Sequence, residues 1–202
     1  MPFNIPQKSE SLAEFIGIMM GDGGMSKYQL CITLHHRDDL VYGHYVQRLM
    51  KNLFEVTPSV YHVPRYSVHN IVISRTGLVQ YLHGLGLPIG NKVKQQFDIP
   101  YWIKQDNDLL KACVRGLIDT DGSVFNHKYK VDSTWYSYKK LCFTSASPPL
   151  IKTVFDTLMK FGLKPRKTRD GRQVRLESVR DIKTYFKLIG SSNKKHLKRY
   201  SS

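Results

Sequence analysis

The sequence predicts an α+β protein made of two pseudo-symmetric αββαββα repeats with antiparallel sheets. Three observations carry that expectation. One stretch occurs twice, first as Phe15-Ile16-Gly17-Ile18-Met19-Met20-Gly21-Asp22-Gly23 and again as Val114-Arg115-Gly116-Leu117-Ile118-Asp119-Thr120-Asp121-Gly122. The copies lie 99 residues apart in a chain of 202, and self-similarity at a fixed spacing marks a repeated structural unit. The segments after each copy replay one order of periodicities. Finally, the hydrophobic fraction is 41% and the charges are interspersed, which suits a packed globular chain and not a disordered one.

In the first half, residues 1–11 read as an extended lead-in. Ser11 with Glu14 three residues on has capping-box spacing, so a helix over about 12–22 follows. Tyr28 to His36 alternates, with Leu30, Ile32 and Leu34 on one face and Gln29, Cys31, Thr33 and His35 on the other, the pattern of a half-buried strand. Asp38 or Asp39 starts the next helix, whose core candidates are Leu40, Val46, Leu49 and Leu53. Thr57–Val63 and Tyr66–Ile73 read as strands. Leu78–Leu85 reads as a helix stopped at Gly86, before Asn91-Lys92-Val93-Lys94 and a lead-out at Ile99–Ile103.

The second half repeats this order. A helix over 108–120 carries the second copy, and Ser123–Val131 with Tyr136–Ser145 form a hairpin. Leu141 and Phe143 match Leu30 and Ile32, while Lys140, Cys142 and Thr144 match Gln29, Cys31 and Thr33. Pro148 and Pro149 open a helix in the turn where proline is tolerated, with Leu150, Val154, Leu158 and Phe161 on its core face. Asp170-Gly171 reads as a two-residue hairpin turn. Asp181–Ile189 is a helix stopped at Gly190, and Asn193-Lys194-Lys195 echoes Asn91-Lys92-Val93. Gly23 to Thr33 is 10 residues, whereas Gly122 to Thr144 is 22. The first strand of the opening repeat must therefore be a stub.

The repeated stretch has a physical logic. Gly17 and Gly21 lie on one helix face, as do Gly116 and Thr120, and small residues there let two helix backbones touch. Glycine inside a helix costs about 0.5–1 kcal/mol against alanine, so a close contact should compensate it. Asp22 and Asp121 each end a helix, where the macrodipole disfavours negative charge, with Gly23 and Gly122 as expected C-caps. Paired helices would bring the carboxylates together, and a divalent cation would relieve the repulsion. Oxygen ligands suit Mg²⁺.

Composition narrows the partner. The formal net charge is +15, with +3 over residues 1–104 and +12 over 105–202. Such an excess points to a polyanion, nucleic acid first. No apolar run approaches the roughly 20 residues of a membrane span. The N-terminus lacks the basic and apolar regions of a secretory signal. The three cysteines, Cys31, Cys113 and Cys142, have no metal spacing and argue for a reducing intracellular compartment. The polar sheet faces would carry the contacts: Gln29, Thr33, His35, Lys140, Thr144, Arg166, Thr168, Gln173 and Arg175 can reach phosphates or base edges, and a β-ribbon fits the major groove. His35-His36 has no third ligand nearby in sequence, so zinc is not expected. Cys-x-x-Cys, Gly-x-Ser-x-Gly and a phosphate-binding glycine loop are absent from the sequence.

The paired stretches resemble the signature of the LAGLIDADG homing endonucleases. Val114–Gly122 is close to the family pattern, and Phe15–Gly23 is looser but keeps the helix glycine and the terminal acid-Gly. The resemblance covers essentially the whole chain and implies the single-chain, two-motif type. It implies saddle-shaped sheets with helices on the back, and repeats over 1–104 and 105–202 packed through the motif helices. It implies metal binding by Asp22 and Asp121, helped by the carbonyls of Gly21 and Thr120. Lys92 and Lys194 would be basic catalytic residues, with Lys94 and Lys195 as competitors for those places. Asp119 faces Met20 in the other copy and is expected to be structural or weakly supportive. The implied activity is Mg²⁺-dependent hydrolysis of both strands of a long pseudo-palindromic or asymmetric DNA duplex, leaving short 3′ overhangs, with Mn²⁺ substituting. A monomer is implied. Rival readings on the same fold are an intron RNA maturase and a DNA-binding regulator that does not cut.

Overall fold

The computed structural model describes residues 3–202, so the first two residues of the expected lead-in lie outside the described residues. In chain order the first half forms α1 (Glu10–Met20), β1 (Gly23–Met25), β2 (Leu30–His35), α2 (Leu40–Phe54), β3 (Ser59–Val63), β4 (Val68–Ile73), α3 (Thr76–Gly84) and α4 (Lys92–Gln95). A short helix, α5 (Tyr101–Lys104), closes the first half, and the second forms α6 (Asn107–Asp121), β5 (Gly122–Val131), β6 (Thr134–Thr144), α7 (Pro148–Lys160), β7 (Arg166–Lys167), β8 (Gln173–Leu176), α8 (Val179–Leu188) and α9 (Lys194–Ser201). A 3₁₀ turn, Pro64–Tyr66, links β3 to β4.

The two halves build sheets of one topology. The strand orders are β1-β2-β4-β3 and β5-β6-β8-β7, antiparallel throughout. Gly23 pairs with Ile32 and Gly122 with Phe143, so the expected equivalence of Leu30 with Leu141 and Ile32 with Phe143 holds in register. All four are buried. β1 is the anticipated stub of three residues, against ten in β5. One hydrophobic cluster runs through both halves and contains the inner faces of α1 and α6.

Local readings needed four corrections. The α1 N-cap is Ser9, whose hydroxyl accepts from the Leu12 amide at 3.3 Å; Ser11 lies inside the helix, and Glu14 is drawn into the interior by other partners. Leu40 is 43% exposed. It lies two residues before Tyr42, some 200° round the helix from the buried line Tyr42, Val46, Leu49 and Leu53. The turn at Asp170-Gly171 is longer than two residues. The Thr168 amide donates to the Gln173 carbonyl at 3.1 Å, and the Gly171 amide closes back on Thr168 at 2.9 Å. Asp170 accepts from the Thr168 hydroxyl and the Arg172 amide, which opens the loop, and Gly171 takes φ +70°. Finally, Gly23 and Gly122 are not left-handed caps. An added Cβ would strike Met19 in one case and Ile118 in the other, so each glycine lets a strand leave against the last turn of its own helix.

Candidate active site: two acid-tipped helices

The motif helices touch backbone to backbone. A Cβ on Gly17 would collide with the Cys113 carbonyl, and one on Gly116 with the carbonyl of Glu14. The glycine faces expected from the repeat are therefore the contact faces. One turn on, a Cβ on Gly21 would overlap the Thr120 hydroxyl and lie 3.5 Å from the carboxyl carbon of Asp121. The Thr120 hydroxyl turns back onto its own helix, donating to the carbonyls of Gly116 and Leu117 at 2.9 and 3.0 Å. The two helix ends thus reach one place, and Asp22 follows Gly21 directly.

Both carboxyls are half-buried there. Burial first, then Asp121 and Asp39, push the Asp22 carboxyl up to about 7, against the pull of Lys92 and Lys195. Burial pushes Asp121 up to about 6, and Lys92 opposes it. The repulsion between the two is reciprocal, so this site disfavours carrying both charges without a cation.

Lys92 reaches the centre from α4. Its ammonium donates to the carbonyls of Met19, Met20 and Gly21 at 3.2, 3.0 and 2.5 Å. Burial lowers its proton affinity, and Asp121 and Asp22 restore part of it. Lys94 is exposed, and its amide is tied to the Asn91 cap. In the other repeat the geometry differs from expectation. Lys194 is exposed, and Lys195 is the lysine that acts on Asp22. Asn193 caps α9, so the two lysines occupy successive first-turn positions about 100° apart, and only one can face inward. Lys195 is held by Asp39, Nζ to Oδ1 at 2.5 Å, and Asn193 also donates to that oxygen at 3.2 Å. Asp39, read in the sequence only as a helix start, is thereby a third carboxylate near Asp22.

Asp119 is buried and structural, as its mismatch with Met20 indicated. It accepts from the Ser191 hydroxyl and the amides of Ser192 and Asn193, which ties the end of α6 to the segment before α9. Burial pushes its carboxyl up to about 7 in spite of those donors. Deeper between the helices, Glu14 accepts from Arg115 at 2.6 and 3.0 Å and from the Tyr45 hydroxyl at 2.7 Å. Arg115 also reaches the Ile189 carbonyl at 3.2 Å.

The donor set suits a hard divalent cation. Mg²⁺ is commonly held by one or two carboxylates, with water and substrate phosphate oxygens completing the shell. Among the described residues no group of three or more His, Cys, Asp or Glu side chains is placed to hold a metal ion, so the fit rests on Asp22, Asp121 and helix-end carbonyls. The Gly21 carbonyl, expected as a helper, is engaged by Lys92 in this arrangement.

The sheet residues divide into those that stay open and those that do not. Register places Thr144 opposite Gln173, and Arg175 between Cys142 and Arg166, all on the face away from the core. Gln173 accepts from Arg175 at 2.9 Å, which pairs them into one polar unit. Thr168 is half-buried and occupied in the turn. Gln29, Thr33 and His35 are exposed, Thr33 donating to Asn70 at 2.9 Å. Lys140 is the exception, only 7% exposed and held by Glu177 at 2.7 Å, with that bond raising its proton affinity. It is not free to meet a phosphate in this arrangement. On the outer face of the β5–β6 hairpin His127, Tyr129, Tyr136 and Tyr138 stack across the strands. His35-His36 is not isolated: the rings of His62 and His69 lie 5.1 and 6.2 Å from that of His36. The β3–β4 register brings them there, which sequence spacing could not show.

Two like-built αβ repeats joined through acid-tipped helices define the LAGLIDADG architecture. Residues 108–197 match the family model described as a LAGLIDADG-like domain. A curated relative is the replication factor C small subunit of Methanocaldococcus jannaschii, 23% identical over 205 residues. The match takes in 98% of this chain and 10% of that protein, so the chain spans about a tenth of its relative's length. Among solved structures, full-length DUF199/WhiA from Thermatoga maritima superposes with a TM-score of 0.61 at 16% identity, over 98% of this chain and 61% of that one. The homing endonuclease I-DmoI, in complex with DNA and Mn, gives a TM-score of 0.57 at 18% identity, over 91% of this chain and 97% of that one. At these identities the likeness concerns the fold. Among the described residues no helix is long and apolar enough to cross a membrane.

Proposed function

We propose that this chain is a site-specific endonuclease that cuts both strands of a DNA duplex with a divalent metal, Mg²⁺ or Mn²⁺, and leaves short 3′ overhangs. The observation that supports it most is the convergence of Asp22 and Asp121 at the ends of two touching helices, within reach of one ammonium, that of Lys92. A bound divalent cation would supply an activated water and relief of charge on the phosphorane. The protein's part is to hold it with Asp22 and Asp121 and to place Lys92 and Lys195 where negative charge grows on the phosphate. The open polar residues of the two sheets, Gln29, Thr33 and His35 with Thr144, Arg166, Gln173 and Arg175, fix the register of the duplex. Repeats over 1–104 and 105–202, each on one half-site, would let a monomer read an asymmetric target.

A second reading is a nucleic-acid binder on the same fold that does not cut. It is favoured by the lysine already seated on the Gly21 carbonyl. Cleavage of a plasmid library in Mg²⁺ and in Mn²⁺ separates the two. The wild type should cut, while Asp22→Asn and Asp121→Asn should bind the selected site and leave it whole. Equal binding with no cutting by any version favours the binder. Tighter, metal-independent binding to a structured intron RNA would move the assignment to RNA.

A further inference from the structure

We propose that Lys92 is the built-in cation of the metal-free centre: its ammonium holds the α1 side, and a divalent cation must displace it to reach the Gly21 carbonyl. This rests on the reading that Asp22 and Asp121 bind such a cation.

A lysine ammonium has three N–H donors, and here all three are spent on the carbonyls of Met19, Met20 and Gly21. These are last-turn carbonyls, which have no amide partners within their helix and carry the negative end of its dipole. Asp22 and Asp121 add two carboxylates at the same place. The potential there calls for a positive charge, and Lys92 meets it without any ion from solution. Its approach is fixed by the Asn91 side chain, which accepts from the Lys94 amide at 3.1 Å and sets the first turn of α4.

The other helix end is built differently. Among the described residues no ammonium bonds to the last carbonyls of α6. The neutral Asn193 amide donates to the Asp119 carbonyl at 3.0 Å, and Lys194, the sequence counterpart of Lys92, is exposed. The centre is therefore asymmetric. An incoming cation finds the Asp121 side open and the Gly21 side closed by a tethered competitor.

The test uses the full chain and Mn²⁺ alone, with free Mn²⁺ followed by electron paramagnetic resonance. Lys92→Met should bind Mn²⁺ on the order of 10-fold tighter than wild type, because a like charge has been removed. Lys92→Arg should stay near wild type. Equal affinity of wild type and Lys92→Met, or tight binding by Lys92→Arg, overturns the inference and leaves the carboxylate pair intact as a metal site. Absence of Mn²⁺ binding in all three takes the metal reading down with it. Acylation of the wild-type protein, read by mass spectrometry with exposed Lys194 as internal reference, needs no variant to fold. Lys92 should react slowly without metal and several-fold faster once Mn²⁺ is bound. An unchanged rate in the Mn²⁺-bound protein would contradict displacement.

Discussion

Asp22 carries an unwelcome charge, because burial, Asp121 and Asp39 all act against it. Removing that charge should stabilise the metal-free fold while abolishing the proposed chemistry. Asp22→Asn is expected to lower cutting by about 10³-fold, or about 4 kcal/mol in the barrier. It should also raise stability by about 1–2 kcal/mol after allowance for solvent screening, read by urea melts at pH 7.5 without metal. A variant less stable than wild type would show that the aspartate is tied down by bonds more than it is repelled. His196 gives the pH dependence. It is buried, its Nε2 has no partner, and burial pushes it down to about 4. A histidine whose folded value lies below the unfolded one of about 6.5 favours folding while neutral. The unfolded chain then takes up more protons as pH falls, so stability present above about 6.5 is lost on the way down to about 4. This one group should cost about 2 kcal/mol at pH 5 relative to pH 7, read as the change with pH in the stability difference between wild type and His196→Leu in urea melts, because the raised carboxyls of Asp22, Asp119 and Asp121 act in the opposite direction over the same range. Asp22 and Asp121 were legible because they recur at matching places, whereas Asp39 has no such signal. The choice of Lys195 over Lys194 was not, since it depends on which first-turn position faces inward. The withdrawal of Lys140 depends on Glu177, 37 residues away in the chain.

The α1–α6 pair shows what an element-level reading captures and where it stops. The small-residue faces foretold close packing, and the structure puts the glycines against opposing carbonyls. The ion pair across that interface was hidden, because Glu14 looked like half of a capping box and nothing in the spacing joined it to Arg115. The repeat offers no second copy to compare: the matching positions are Cys113 and Ile16, and both are buried apolar sites. The Glu14 side chain is 3% exposed and that of Arg115 22%. Arg115→Met should therefore cost about 3–5 kcal/mol, because it strands a buried carboxylate. Replacing both, Glu14→Met with Arg115→Met, should recover much of that loss. A double-mutant cycle in urea tests this, and strictly additive losses would mean that the pair is held apart by solvent. Strand identity was readable from alternation and turn residues. The exact caps were not, since Ser9 and Ser11 are equally good acceptors and tertiary packing of Glu14 chose between them.

At the scale of the whole molecule the two halves share a topology and differ in reach and charge. The second sheet carries a β5–β6 hairpin with strands of 10 and 11 residues, where the first has a β1 stub of three. The second half also holds net +12 of the total +15. Much of that charge is open: Arg166 is 79% exposed on the outer sheet face, and Lys194 and Lys198 are exposed on α9. If this surface tracks phosphates, binding releases counterions and log K falls linearly with log salt. A contact set of about 6–10 phosphates loses about 10³–10⁵ in affinity between 50 and 200 mM salt. The imbalance makes the prediction sharper than a slope. The first half, at net +3, has little charge to lend, so its share of the site should be held by shape and side-chain contacts to bases. Hydroxyl-radical footprints taken as salt rises should therefore lose protection first on the half bound by the hairpin sheet, whose contacts are the more electrostatic. Protection on the half-site of the first repeat should outlast it. Arg166→Ala should reduce the slope by about one and weaken all sequences alike. Simultaneous loss of both half-site footprints would mean that the charge excess serves some surface other than the sheets.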